Sequence, residues 1–297
     1  MTNYACLTIL YRGYGKSQES VIENIHERLD QERIISQWSK FPENDSEEKK
    51  FRHAIKESFS IMVKIDESVE QFLKAARKAD SSLPFRSFLC QGENTEFKIG
   101  RQHFSDSFLL YALVSENKES CPVANVYYII VACAASMLFT LAAKKPVRGG
   151  IAIAPAIEYM KNDIYGPAPV RAYKLESNIA KYPRIIVDQS VINFLDFYLN
   201  ISPNNLYEEF QQRLAKVTKS FICRDTDGQL IIDFLGNGII ELSKGTSFNM
   251  QTLVNDIREF IAQQLKKHIH DNNHKLIKRY KLLDKYVSSR SQTLELI

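Results

Sequence analysis

Apolar residues recur along this chain with two periods, and the changes of period mark its elements. Ala5–Tyr11 (ACLTILY) is a short β-favouring run, read as a strand, and Arg12-Gly13-Tyr14-Gly15 ends it as a turn. Ser17–Trp38 has helical spacing. In Glu47–Lys78 the residues Phe51, Ile55, Phe59, Met62, Ile65, Val69 and Phe72 fall three or four apart, the pattern of one long amphipathic helix, which Asp80–Pro84 breaks. Phe97–His103 and Phe108–Val114 are strand-like, and Ser105-Asp106-Ser107 between them predicts a tight hairpin with Asp106 at or near its tip. Ile151–Ile157 is a strand entered through Gly149-Gly150, Asp163–Pro169 a Gly/Pro-rich turn, and Val170–Ile179 a helix. Arg184–Asp188 (RIIVD) is short and hydrophobic, as central strands are.

Residues 1–190 therefore predict strand, helices, hairpin, helix, strand, helix, strand, a sheet covered by helices on one face. Residues 191–297 read as an α-rich extension. Ser190–Asn200 and Leu206–Lys219 are helical, and Asp225-Thr226-Asp227-Gly228 between two β-like runs signals a hairpin. Met250–Ser288 is helical.

One segment raises a membrane question. Val123–Ala143 holds no charged residue and is long enough to span a bilayer. Ala, Ser, Thr, Cys and Asn dilute its hydrophobicity, and a strand-like run follows closely, so the reading is a buried helix. With 297 residues and 44% hydrophobic content, the chain can bury a core of its own. Its net charge of +4 is too mild to suggest nucleic acid. The five cysteines are scattered without a Cys-x-x-Cys pair, and Met1-Thr2-Asn3 opens no secretory signal. Cys6 and Cys133 read as small buried hydrophobes, and a cytoplasmic setting is expected.

Neither a phosphate-binding Gly-x-x-x-x-Gly-Lys-Ser/Thr loop nor a Gly-x-Ser-x-Gly elbow is present. His268, His270 and His274 cluster without a flanking His-Glu-x-x-His motif and read as a solvated basic helix face. Lys275–Lys285 is basic with interleaved apolar residues. It reads as a helix packed by its apolar side, with nucleic acid or a membrane surface as the other options.

More telling is an ordered set of strings. Phe104-Ser105-Asp106-Ser107-Phe108-Leu109-Leu110 resembles the hairpin of class III nucleotidyl cyclases, and Arg148-Gly149-Gly150-Ile151-Ala152 the following strand. Asp163-Ile164-Tyr165-Gly166, then Ala172 and Lys174-Leu175-Glu176-Ser177, resembles the cyclase turn and helix. Tyr182-Pro183-Arg184-Ile185-Ile186-Val187-Asp188 is similar to a bacterial branch that includes the pyrimidine cyclases of phage defence. The tail is family-like through Asp227-Gly228…Asp233-Phe234-Leu235 and Lys278-Arg279-Tyr280…Asp284-Lys285-Tyr286.

The resemblance implies a ferredoxin-like βαββαβ core over about residues 5–190, a homodimer with sites built between protomers, and a nucleotide ligand. It gives Asp106 the role of metal ligand, for Mg²⁺ or Mn²⁺ in an active enzyme. Asp163 takes the base-reading position and Arg148 a substrate-binding one. Lys174 and Arg171 are the cations left for the phosphates. Making a cyclic nucleotide needs hard anionic oxygens to hold divalent metal and positive charge on the phosphates. The chain departs from that pattern. Thr8 stands where the first-strand Asp belongs, and Val170 and Lys174 replace a polar group and an Arg. Arg171 points about 100° around the helix from Val170 and is no direct substitute. The expectation is a catalytically degenerate cyclase-like nucleotide-binding or interaction module. The alternative is an active, atypical nucleotidyl cyclase that converts an NTP to a 3′,5′-cyclic nucleotide and pyrophosphate.

Overall fold

In a computed structural model of the chain, the described residues are 2–11, 70–71, 73–74, 99–104, 107–114, 121–159 and 163–294. The helix expected over Ser17–Trp38, most of that over Glu47–Lys78, the Arg12–Gly15 turn and the hairpin tip with Asp106 lie outside them. Within the long amphipathic pattern, Glu70, Gln71, Leu73 and Lys74 are helical and Leu73 is buried in the core.

The protein is α+β. Its strands are β1 (Thr2–Tyr11), β2 (Gly100–Phe104), β3 (Ser107–Leu113), β4 (Val147–Tyr159), β5 (Asp163–Tyr165), β6 (Ile185–Val187), β7 (Ile222–Arg224) and β8 (Leu230–Ile232). They lie in the order β2-β3-β1-β4-β6-β8-β7, with β5 paired to the far end of β4. The first four are antiparallel to their neighbours, β6 joins β4 in parallel, and the β7–β8 hairpin adds to β6. Strand alternation separates two apolar faces. Leu110 and Ala112 belong to the main core, whereas Leu109 and Tyr111 belong to a second, smaller cluster.

The main core forms around helix α1 (Pro122–Ala142), which follows the uncharged run foreseen in the sequence. By length and composition it could cross a membrane, yet 94% of its most apolar window is buried inside the protein. One side packs on β3 and β1. The other is covered by α4 (Leu206–Lys219), α5 (Asn237–Ser243) and α6 (Met250–His270). The apolar surface of this helix is thus covered by the chain itself. Its polar residues are satisfied locally. Asn125 Nδ2 donates to the Leu113 carbonyl at 2.6 Å, Ser136 Oγ to Ala132 at 2.7 Å and Thr140 Oγ1 to Ser136 at 2.6 Å.

The regions expected on either side of residue 190 share one sheet and one core. β8 pairs with β6, and the main buried cluster runs from Leu73 to Val287. Helix α2 (Pro167–Lys174) starts three residues before the expected Val170 because Pro167 sits well in a first turn, where no backbone N–H is needed. It continues as a π-helical turn, Leu175–Ile179. Asp188, read as the end of a strand, is instead the N-cap of α3 (Gln189–Asn200), where its carboxylate accepts from the Ser190 N–H at 2.9 Å. The expected 250–288 helix is two helices, α6 and α7 (His274–Leu294), parted at Asn272 with φ 52°, a left-handed conformation that Asn tolerates.

Candidate functional site

The residues singled out by the cyclase resemblance lie on β4, β5 and α2, and close packing decides which way they turn. A Cβ on Gly150 would stand 2.4 Å from the Ala172 carbonyl oxygen and 2.5 Å from Leu175 Cβ, so glycine lets the helix rest directly on the strand. Gly166, with φ 132°, makes the turn into α2 against Ala156. Ala168 and Ala172 then face inward with Ala154, Ala156, Ile164, Leu109 and Tyr111, forming the second cluster.

This contact brings Glu176, in the π-helical turn, onto Arg148 of β4. The two form an ion pair at 2.6 Å, with the side chains 0% and 7% exposed. Arg148 Nη1 also donates to the Ala180 carbonyl at 3.2 Å. The guanidinium expected to meet substrate is turned inward onto a carboxylate of its own chain. The expected base reader, Asp163, is half-buried on β5. Its Oδ1 accepts from Gln102 Nε2 at 3.1 Å while Gln102 Oε1 accepts from the Ile164 N–H at 3.3 Å. One amide thus clamps the β4–β5 arm to β2.

Arg171 and Lys174 are exposed, three residues apart, and so share a face of α2. Their side of α2 also shows Val170 and Tyr173, and the adjoining arm exposes Ile157, Tyr159 and Tyr165, each 50–58% accessible. The structure therefore brings Arg171 and Lys174 together on an aromatic, apolar surface and leaves Arg148 inside the protein.

Asp106, the expected metal ligand, lies outside the described residues. The backbone register around it is informative. Thr8 is opposite Leu109 and Gly150, whereas Leu10 is opposite Ser107 and Arg148. Leu10 is therefore the β1 position aligned with Ser107, where β3 begins. No residue of β1, TNYACLTILY, carries a carboxylate. Among the described residues, no group of three or more His, Cys, Asp or Glu is placed to hold a metal ion.

Two charged clusters that sequence reasoning quoted without assigning roles hold the C-terminal region in place. Arg184 grips Asp227 with both arms of its guanidinium, at 3.0 and 2.7 Å, and its Nη1 also donates to Asp225. Tyr182 donates its hydroxyl to Asp225 and lies under the guanidinium at 4.5 Å. Burial first, and then Asp225, raises the Tyr182 hydroxyl above its ordinary value. The Arg184 hydrogen bonds hold the Asp227 carboxyl below its own. In the second cluster Asp233 accepts from Tyr286 at 2.8 Å and from Arg290 Nε at 2.9 Å, while the Tyr286 hydroxyl accepts from the Leu235 N–H at 3.1 Å. Cys223 lies beside them. Burial first, and then the Asp233 charge, pushes its thiol up to about 11. These contacts pair Tyr182-Pro183-Arg184 with the Asp225–Gly228 turn, and Asp233-Phe234-Leu235 with the end of α7. The available signal was two acidic turns and two Arg far apart in sequence, which a linear reading does not join.

His268 also departs from its expected solvated face. It is buried and stacked on Tyr280, with ring centroids 5.6 Å apart and planes at 24°. Burial first, and then Lys267, lowers its pKa, so it sits in the fold as neutral imidazole.

The chain matches no protein-family model, no curated protein and no solved structure.

Proposed function

We propose that this chain is a cyclase-type scaffold that acts as a nucleotide-binding or interaction module without two-metal cyclisation chemistry, and that it works as a homodimer. The β2-β3-β1-β4 antiparallel order, with α1 on one face, supports a ferredoxin-like core. The observation that carries the loss of chemistry is a pair of features on the central strands. β1 has no carboxylate in any of its ten positions, and Arg148 is spent on Glu176. A hard divalent cation at the hairpin would therefore lack its first-strand ligand.

What remains on the surface favours contact over catalysis. Ile157, Tyr159, Tyr165, Val170 and Tyr173 form an exposed group rich in the aromatic residues that anchor interfaces, with Arg171 and Lys174 beside them. A second copy is the partner that the cyclase resemblance assigns to such a scaffold.

Incubation of the purified protein with each NTP and Mn²⁺, with product analysis by mass spectrometry, tests the reading. The expected result is nucleotide returned unchanged. A cyclic nucleotide whose formation is lost in Asp106→Ala overturns the degenerate reading. Sedimentation of the protein and of a Tyr165→Ser/Tyr173→Ser variant tests the partner. The expected result is a dimer for the first and a monomer for the second.

A further inference from the structure

The chain's net charge of +4 hides a strong polarity. Residues 266–285 (KKHIHDNNHKLIKRYKLLDK) carry seven Lys or Arg and two Asp, a net of +5, so the rest of the chain is close to neutral. The fold gathers this segment at one end, because the end of α6 and the start of α7 are joined by the short turn at Asp271–Asn273. Tyr280, Leu283, Tyr286 and Val287 turn inward, as the apolar pattern requires. The opposite side of α7 carries Lys278, Lys281 and Lys285, with Lys275 on its flank one turn earlier, all exposed. None of the four forms an ion pair with a described residue. Three of them rim an open groove of about 420 Å³, whose other lining residues are His274, Ile277 and Leu282.

We infer that this α7 lysine row is a docking surface for the phosphate backbone of a nucleic acid. From Lys275 to Lys285 the helix rises roughly 15 Å, longer than one compact phosphate cluster and matched to a run of phosphates. The four lysines are point charges without bidentate geometry, as suits contact to phosphates rather than to base edges. A bilayer would require large apolar side chains that protrude from the same face, whereas Ile277 and Leu282 are half-buried between the ammonium groups. The interaction is therefore electrostatic and indifferent to sequence, and it uses a surface separate from the arm of β4 and β5.

Fluorescence anisotropy of the full chain with a labelled DNA duplex of arbitrary sequence tests this across a salt series. Four phosphate contacts give a log–log salt slope near −3.6, so affinity falls about 150-fold between about 50 and 200 mM salt. The triple variant Lys278→Gln/Lys281→Gln/Lys285→Gln is expected to lose about 3 units of that slope while its melting temperature stays unchanged. A control variant, Lys216→Gln/Lys244→Gln, changes lysines on other elements and is expected to bind as the parent does. Absence of duplex binding at 50 mM salt overturns the inference. So does equal weakening by the two variants, or capture by phosphatidylserine vesicles without binding to the duplex.

Discussion

Arg148 separates the two accounts of this molecule, because a substrate-binding residue and a structural one fail differently. Its side chain and that of Glu176 are 7% and 0% exposed, so water reaches neither charge to replace the ion pair. Arg148→Met keeps the apolar stem, removes the charge and takes the ion pair from Glu176. Breaking such a buried pair from one side costs about 3–5 kcal/mol. At a few °C per kcal/mol, that is a fall of roughly 10 °C in the melting temperature. Arg148→Met/Glu176→Leu removes both charges, and replacement of a buried pair by apolar groups is neutral to stabilising. The double variant is expected to regain nearly all the loss. Thermal and urea unfolding of the parent, the two single variants and the double variant close a double-mutant cycle with a large coupling. The reasoning is refuted if the double variant is as unstable as the two single losses added together. It is also refuted if Arg148→Met leaves stability intact and abolishes binding of a nucleotide.

Other expectations follow from single contacts. Gly150→Ala places a Cβ 2.4 Å from the Ala172 oxygen and should cost about 1–3 kcal/mol in urea unfolding. Gly228→Ala meets nothing within 4 Å but must hold φ 84°, so its loss should be about 1–2 kcal/mol, from backbone strain alone. Arg184→Met takes the ion pair from Asp225, whose side chain is 6% exposed, and should cost about 3 kcal/mol, against less than about 1 kcal/mol for Asp227→Asn at a half-exposed site. His268 has a depressed pKa, so the unfolded chain takes up its proton first; stability should fall as pH drops below about 6.5, and His268→Phe should flatten that part of a pH–stability curve.

The parts of the fold legible in the sequence are those governed by local periodicity. α4 begins and ends where its spacing placed it, and the Asp225–Gly228 hairpin forms where its turn residues fall. The uncharged stretch is a buried helix because α4, α5 and α6 cover the side that the sheet does not. Its hydropathy alone could not distinguish lipid from protein as the apolar neighbour. Boundaries moved where one residue had two uses. Asp188 reads as a strand end but caps a helix, and Asn272 looks helical by context yet takes the left-handed conformation that divides α6 from α7.

The candidate site was legible as a set of strings but not as a set of directions. The resemblance singled out Arg148, Asp163, Arg171 and Lys174 as expected nucleotide-site residues, and spacing says nothing about which way a side chain turns. Direction comes from Gly150, which draws α2 so close to β4 that Glu176 reaches Arg148. It also comes from Gln102, which ties Asp163 into the arm. Pairing decides the tail as well. Asp227 and Asp233 are spent on Arg184 and Arg290, which fasten the hairpin and α7 to the sheet. The lysines of α7 have no such partners among the described residues. Arg148, Asp163, Asp227 and Asp233 thus hold the structure together here, and the unpaired charge collects on the lysines of α7. A whole-chain sum averages that charge away, so only the folded arrangement distinguishes a nearly neutral body from a basic end.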